Sequence, residues 1–102
     1  MRLRTCSSAL AAILFAVVLV GLPTPAEAQS AKVRYERALA REQAARRQAA
    51  PSLTTLRSIA TAYEQIVRRY PRSGYSDNAL WQAAGVLQLA WELEGQARDR
   101  DK

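Results

Sequence analysis

The feature that most constrains the fold is an apolar stripe that ends on a proline. Leu53, Leu56, Ala60, Tyr63, Val67 and Tyr70 recur at steps of three and four, and Pro71 comes immediately after. That spacing puts all six side chains on one face of an α-helix, and Ile59 and Ile66 widen the face. Pro71 donates no backbone hydrogen bond and disfavours helical geometry at Tyr70, so the helix must stop there. The reading is a helix from 53 to 70, with Ser52 after Pro51 as its N-cap.

Beyond Pro71 the chain reads as a turn and a restart. Gly74 permits the turn, Ser76 is a candidate cap for the next helix, and Asp77 puts negative charge in its first turn. Tyr75 and Leu80 then occupy the two positions of a hydrophobic staple. The next helix is expected over 77–96. Leu80, Ala84, Leu87 and Trp91 form its expected core stripe, widened by Trp81, Ala83, Val86, Ala90 and Leu93. On this reading Leu80→Asp costs several kcal/mol, as a charge buried in the core, whereas Arg69→Gln stays within about half a kcal/mol. So apolar a helix wants neighbours on more than one side.

Ahead of this pair, residues 31–50 are rich in Ala, Arg, Glu and Gln, all strong helix formers. Glu42 and Arg46 form a favourably oriented i,i+4 pair. The apolar side is thin: Val33, Tyr35, Ala38, Leu39, Ala45 and Ala49.

The first 28 residues have a different plan. Arg2 and Arg4 precede the uncharged 14-residue run from Ala9 to Leu22, which ends at Pro23 and Pro25, and Ala26-Glu27-Ala28 comes next. That order is a secretory signal peptide, with cleavage expected between Ala28 and Gln29. A membrane-spanning helix needs about 20 apolar residues. Cys6 lies before the apolar run and not at the cut, which argues against a lipid anchor. The domain plan is therefore a signal peptide over 1–28, a leader helix over 29–51, a helix-turn-helix over 52–97 and a charged tail over 98–102.

Removing Arg2, Arg4 and Glu27 from 15 basic and 9 acidic residues leaves 13 against 8, a net charge of +5 after the cut. Inside a cell that balance raises nucleic acid as a partner. After export, peptidoglycan and other anionic envelope polymers take that place, and nucleic acid is not expected. The basic residues are spread along the helices instead of forming one block. Arg68, Arg69 and Arg72, beside Tyr70 and Tyr75, are the candidate contacts for an anion or a partner. The alternative reading is a solvated helix end whose arginines favour the negative dipole pole.

Catalytic constellations are not expected. The chain has no histidine, which excludes Ser-His-Asp and Cys-His arrangements. Hydrolytic zinc sites lean on histidine, so no metal or cofactor is expected. Glycines at 21, 74, 85 and 95 form no phosphate loop. Glu92 and Glu94 point to different sides of a helix, and neither is expected to pair for acid-base chemistry.

The helix-stop-helix block resembles the tetratricopeptide repeat (TPR) family. Tyr63 and Pro71 match the aromatic and proline of the second half-repeat, and Trp81, Ala84 and Gly85 resemble the W-x2-L-G of the next one. The run Tyr70, Pro71, Ser73, Asp77, Asn78, Ala79, Leu80, Trp81 looks like the exported bacterial version, in periplasmic coordinators of the Tol-Pal system and the β-barrel assembly lipoprotein. Ile59 and Gln88 depart from the pattern, at a usual alanine and a usual tyrosine. More finely, the Tyr-Glu-Arg helix, arginine-rich spacer and Ala62, Glu64, Ile66, Val67, Tyr70, Pro71 are similar to the region ahead of the catalytic domain in some N-acetylmuramoyl-L-alanine amidases.

The resemblance implies an all-α fold of antiparallel TPR-type hairpins, about one and a half repeats. It implies a non-catalytic envelope module that binds protein partners and is able to self-associate, or alternatively the accessory front of an amidase. Repeat proteins draw stability from neighbour interfaces, so residues 29–102 alone are expected to be marginally folded or to associate. Trp81 and Trp91 are expected to pack in the core or between repeats, and their exposure would favour binding instead.

Overall fold

In the computed structural model, residues 22–101 are described, and among them the chain is all-α with no strand. The expected basic start and most of the apolar run fall in residues 1–21, outside the described residues. The three helices are α1 (Pro25–Arg46), α2 (Leu53–Arg69) and α3 (Ser76–Arg100). No helix among the described residues is long and apolar enough to cross a membrane.

α1 starts six residues earlier than its composition suggests. Thr24 caps it, its hydroxyl accepting from the Glu27 N–H at 3.2 Å, and Pro25 occupies the first turn. A proline there loses no hydrogen bond and is preset for helical geometry. The expected cut after Ala28 therefore falls inside the first turn of α1. The helix ends at Arg46 instead of 50, with Gln48 N–H closing a turn onto Ala45 C=O at 3.1 Å ahead of Pro51.

α2 runs as its stripe dictates. Ser52 caps it, accepting from the Thr55 N–H at 3.4 Å, and Tyr70 leaves helical geometry at φ −131°, ψ 55°. The joint then closes as two successive turns, Ser73 N–H to Tyr70 C=O at 3.0 Å and Ser76 N–H to Ser73 C=O at 3.2 Å.

Three details of the joint differ from expectation. Tyr75, not Ser76, is the N-cap of α3, in helical geometry and with no side-chain cap bond. The second turn leads straight into the helix, so Ser76 is already its first residue, and it is buried. Gly74 has no positive φ, and a Cβ there would meet nothing within 4 Å, so its freedom is not used. The staple is not made: Leu80 is 58% exposed, while Tyr75 packs against Tyr35 with ring centroids 5.3 Å apart. α3 continues to Arg100, absorbing most of the expected charged tail.

The helices pack antiparallel in chain order. Arg41 reaches Ser58, Glu42 meets Tyr63, and Tyr35 meets both Tyr63 and Tyr75, so α1 and α2 run in opposite senses. Arg57 pairs with Glu94 at 3.2 Å, which sets the same relation between α2 and α3.

α2 fills the centre with Leu56, Ile59, Tyr63 and Ile66, all fully buried. Its neighbours answer with small side chains: Ala38 and Ala45 from α1, and Ala79, Ala83 and Ala90, with Val86, from α3. Large against small lets helix axes approach closely at interior packing density. This corrects the expected stripe of α3. Leu80, Trp81, Ala84, Leu87 and Trp91 lie on the outer face, whereas Ala83, Val86 and Ala90 from the expected widening are buried, together with Ala79.

Candidate functional site

Three places carry side chains that could do more than pack. The first is the joint. A cleft of about 290 Å³ is lined by Pro23, Glu27, Arg69, Tyr70, Pro71, Arg72 and Ser73. It gathers two of the three arginines singled out in the sequence. Arg68 is exposed but does not line the cleft, and Tyr75 is turned onto Tyr35. Ser73 is buried, and its hydroxyl has no hydrogen-bond partner among the described residues. Glu27 lines the same cleft, so its charge is mixed.

The second place is a polar centre inside the helix packing. Glu42 is buried on α1, accepting from the Tyr63 hydroxyl at 2.7 Å and from Arg46 Nε at 2.8 Å. The sequence announces the Glu42–Arg46 pair as a helix-surface contact; it does not announce that Tyr63 buries it. Burial and the adjacent carboxylate push the Tyr63 phenol far above its ordinary range. Both effects disfavour a second negative charge beside Glu42. Tyr63 is 0% exposed, so no substrate reaches this group, and its chemistry is cohesion. The clue available in the sequence is a glutamate within the thin apolar face of α1, between Ala38 and Ala45.

The third place is the outer face of α3. Trp81 is 80% exposed and Trp91 69%, with Leu80 and Leu87 between and beside them. Of the two expectations for the tryptophans, packing in the core of the chain is therefore corrected, while packing between repeats would use this same exposed face. At one edge Arg46 comes across from α1: a Cβ at Gly85 would lie 3.8 Å from its Nη2. Arg46, Trp81, Gln82, Ala84, Gly85 and Gln88 line a shallow groove of about 290 Å³ there. Of the motif residues, Trp81, Ala84 and Gly85 are thus brought together, while Tyr63 and Tyr70–Pro71 lie on the packed side and in the joint.

Charge is sorted between the helices. Arg34, Arg37 and Arg41 line one groove of α1 beside Ala62 and Gln65 of α2. Their spacing of three and four is the sequence signal for this row, which composition alone presents as a diffuse spread of charge. α3 carries Asp77, Glu92, Glu94 and Asp99 against Arg98 and Arg100. Glu94 is tied to Arg57, and Glu92 accepts from Gln88 at 3.2 Å, so the two carboxylates have separate partners. Among the described residues no three acidic or sulfur side chains come together in a way that could hold a metal ion.

Compared with protein families, with curated proteins and with solved structures, the chain has no match.

Proposed function

We propose that the chain is a non-catalytic, TPR-like protein-interaction module exported to the bacterial cell envelope, and that the outer face of α3 is its contact surface. One observation carries the reading: two tryptophans and two leucines stand exposed on a single helix face whose opposite face is buried from Ala79 to Ala90. A contiguous exposed apolar patch of this kind marks an interaction site, and tryptophan is the residue type most enriched where binding energy concentrates. The α2–α3 hairpin, with its stop at Tyr70–Pro71, supports the repeat-like part of the proposal. The arginine-led apolar start and Ala26-Glu27-Ala28 support export.

A photo-crosslinking side chain at Leu87 tests this in expressing cells, with the same group at Arg34 on α1 as control. A discrete adduct from position 87, lost in a Trp81→Ala, Trp91→Ala chain, is the expected result. Equal labelling from both positions would remove the basis for the proposal.

A second reading is favoured by the Arg34–Arg37–Arg41 row: contact with anionic envelope polymers, as an accessory segment of a peptidoglycan amidase would need. Co-sedimentation with purified peptidoglycan, lost when the three arginines are replaced by glutamine, is its test.

A further inference from the structure

The outer face of α3 has an internal symmetry that names its occupant. Along this face the positions run Asp77, Leu80, Ala84, Leu87, Gln88, Trp91, Gly95, Arg98, all exposed except the half-buried Gly95. Turned end for end about a point between 87 and 88, the series fits itself. Trp91 falls opposite Ala84, Leu80 opposite Gly95, Leu87 opposite Gln88, and Asp77 opposite Arg98. Trp91 and Leu80 each meet a small residue, and the acid at one end meets the base at the other. We infer that α3 pairs antiparallel with α3 of a second copy of this chain across a two-fold axis at Leu87–Gln88.

Gly95 supplies an independent reason. It sits inside a helix that continues to Arg100, with no positive φ, and a Cβ there would meet nothing within 4 Å. A glycine in a helix interior is unfavourable relative to alanine, and nothing within the described residues requires one here. Opposite Leu80 of a second copy, its missing side chain allows the close backbone approach that small residues give at helix contacts. Asp77 and Arg98 likewise have no ion-pair partner among the described residues, and each gains one in the pair. A two-fold contact is isologous: the same patch serves both copies, so every complementary relation is made twice. Trp91 and Leu80 are each covered in both copies. An aromatic side chain brings about 150–250 Å² into such a contact, so two tryptophans and four leucines, with the flanking Ala84, Gln88, Asp77 and Arg98 of both copies, reach on the order of the 1,000 Å² that a specific interface requires. The alignment of opposed helix dipoles favours the antiparallel sense over the parallel one.

This inference rests on the outer face of α3 being the contact surface, and narrows the partner to a second copy. It is tested on the full-length chain carrying Cys6→Ser, so that only introduced cysteines react. Leu80→Cys and Gly95→Cys chains, distinguishable by tag size, are mixed and mildly oxidised. The 80–95 heterodisulfide should exceed both homodisulfides beyond the ratio of random pairing. Asp77→Arg or Arg98→Asp alone should lower its yield roughly two- to fivefold, and the two together should restore it. Gly95→Glu, which points to open space in the single chain, should keep the helical signal and weaken association at least tenfold, by about 1.4 kcal/mol or more. Homodisulfides equal to or above the heterodisulfide, or an unaltered association of the Gly95→Glu chain, would overturn the pairing. An adduct to a different protein from position 87, with no 80–95 disulfide, would overturn the pairing alone and leave the interaction-module reading standing. Loss of both would remove the two together.

Discussion

The Tyr63 hydroxyl on α2 donates to Glu42 on α1 at 2.7 Å, across 21 residues of sequence and in a site closed to solvent. Arg46 holds the other carboxylate oxygen from the same helix at 2.8 Å. The pair fixes the register of α1 on α2, where the remaining α1 contacts are mostly alanine and carry little shape information. A buried carboxylate without partners is costly, so the bond is made in only one alignment.

Tyr63→Phe removes the donor and leaves Glu42 Oε1 unpaired. A hydrogen bond to a charged group contributes about 1.5–3 kcal/mol, and the variant should lose that much in urea melts. A loss under about half a kcal/mol would mean that water replaces the phenol.

The same bond sets an alkaline limit. The folded chain keeps the Tyr63 proton well above the pH at which the unfolded chain releases it, so above about pH 10 the unfolded state binds fewer protons. Stability contributed by Tyr63 is therefore complete below about pH 10 and declines as pH rises beyond it. Melting temperature tracked from neutral to alkaline pH should fall more steeply for the parent than for Tyr63→Phe. Parallel curves would contradict the assignment.

Exposure reverses the ranking that periodicity alone suggests for α3. Leu80→Asp should change monomer stability by only about half a kcal/mol, as an exposed substitution. Ile59→Ala, at a fully buried site, should cost about 2–5 kcal/mol. Denaturation in dilute solution, where copies are apart, makes the comparison.

Two helix-end and helix-interior changes have opposite signs. Ser52→Ala removes the cap on Thr55 N–H and should cost about 1 kcal/mol. Gly85→Ala places a methyl at ordinary contact distance from the far end of the Arg46 side chain and should stabilise by about 0.5–1 kcal/mol. Urea melts of both variants give the two signs. A destabilised Gly85→Ala chain would show that Arg46 is held more firmly than its half-exposed side chain suggests.

Export predicts a defined terminus. Intact-mass measurement on chain recovered from the envelope should give Gln29 as the first residue. Processing there removes Thr24 and the first four residues of α1, so the helix would lose its cap and fray at its new end. A chain retaining Met1 in the cytoplasm would contradict export.

The sequence by itself determined what is local. Ser52 caps because its hydroxyl reaches an N–H three residues on, and Tyr70–Pro71 stops α2 because proline forbids continuation in any surroundings. α2 also has a single apolar face, so which side it buries was legible from Leu56, Ile59, Tyr63 and Ile66. α3 was different. Leu80, Leu87 and Trp91 satisfy helical spacing as well as Ala79, Ala83, Val86 and Ala90 do, and by hydrophobicity alone the larger set wins. Only the tertiary structure chose the smaller. α2 had already filled the shared space with large side chains, and at close packing a second large row would hold the helices apart. That contact decided the fate of the tryptophans, and the contact of α1 with α2 decided that of Glu42. Burial depends on the volume a neighbour leaves free, and a helix's own sequence does not state that volume.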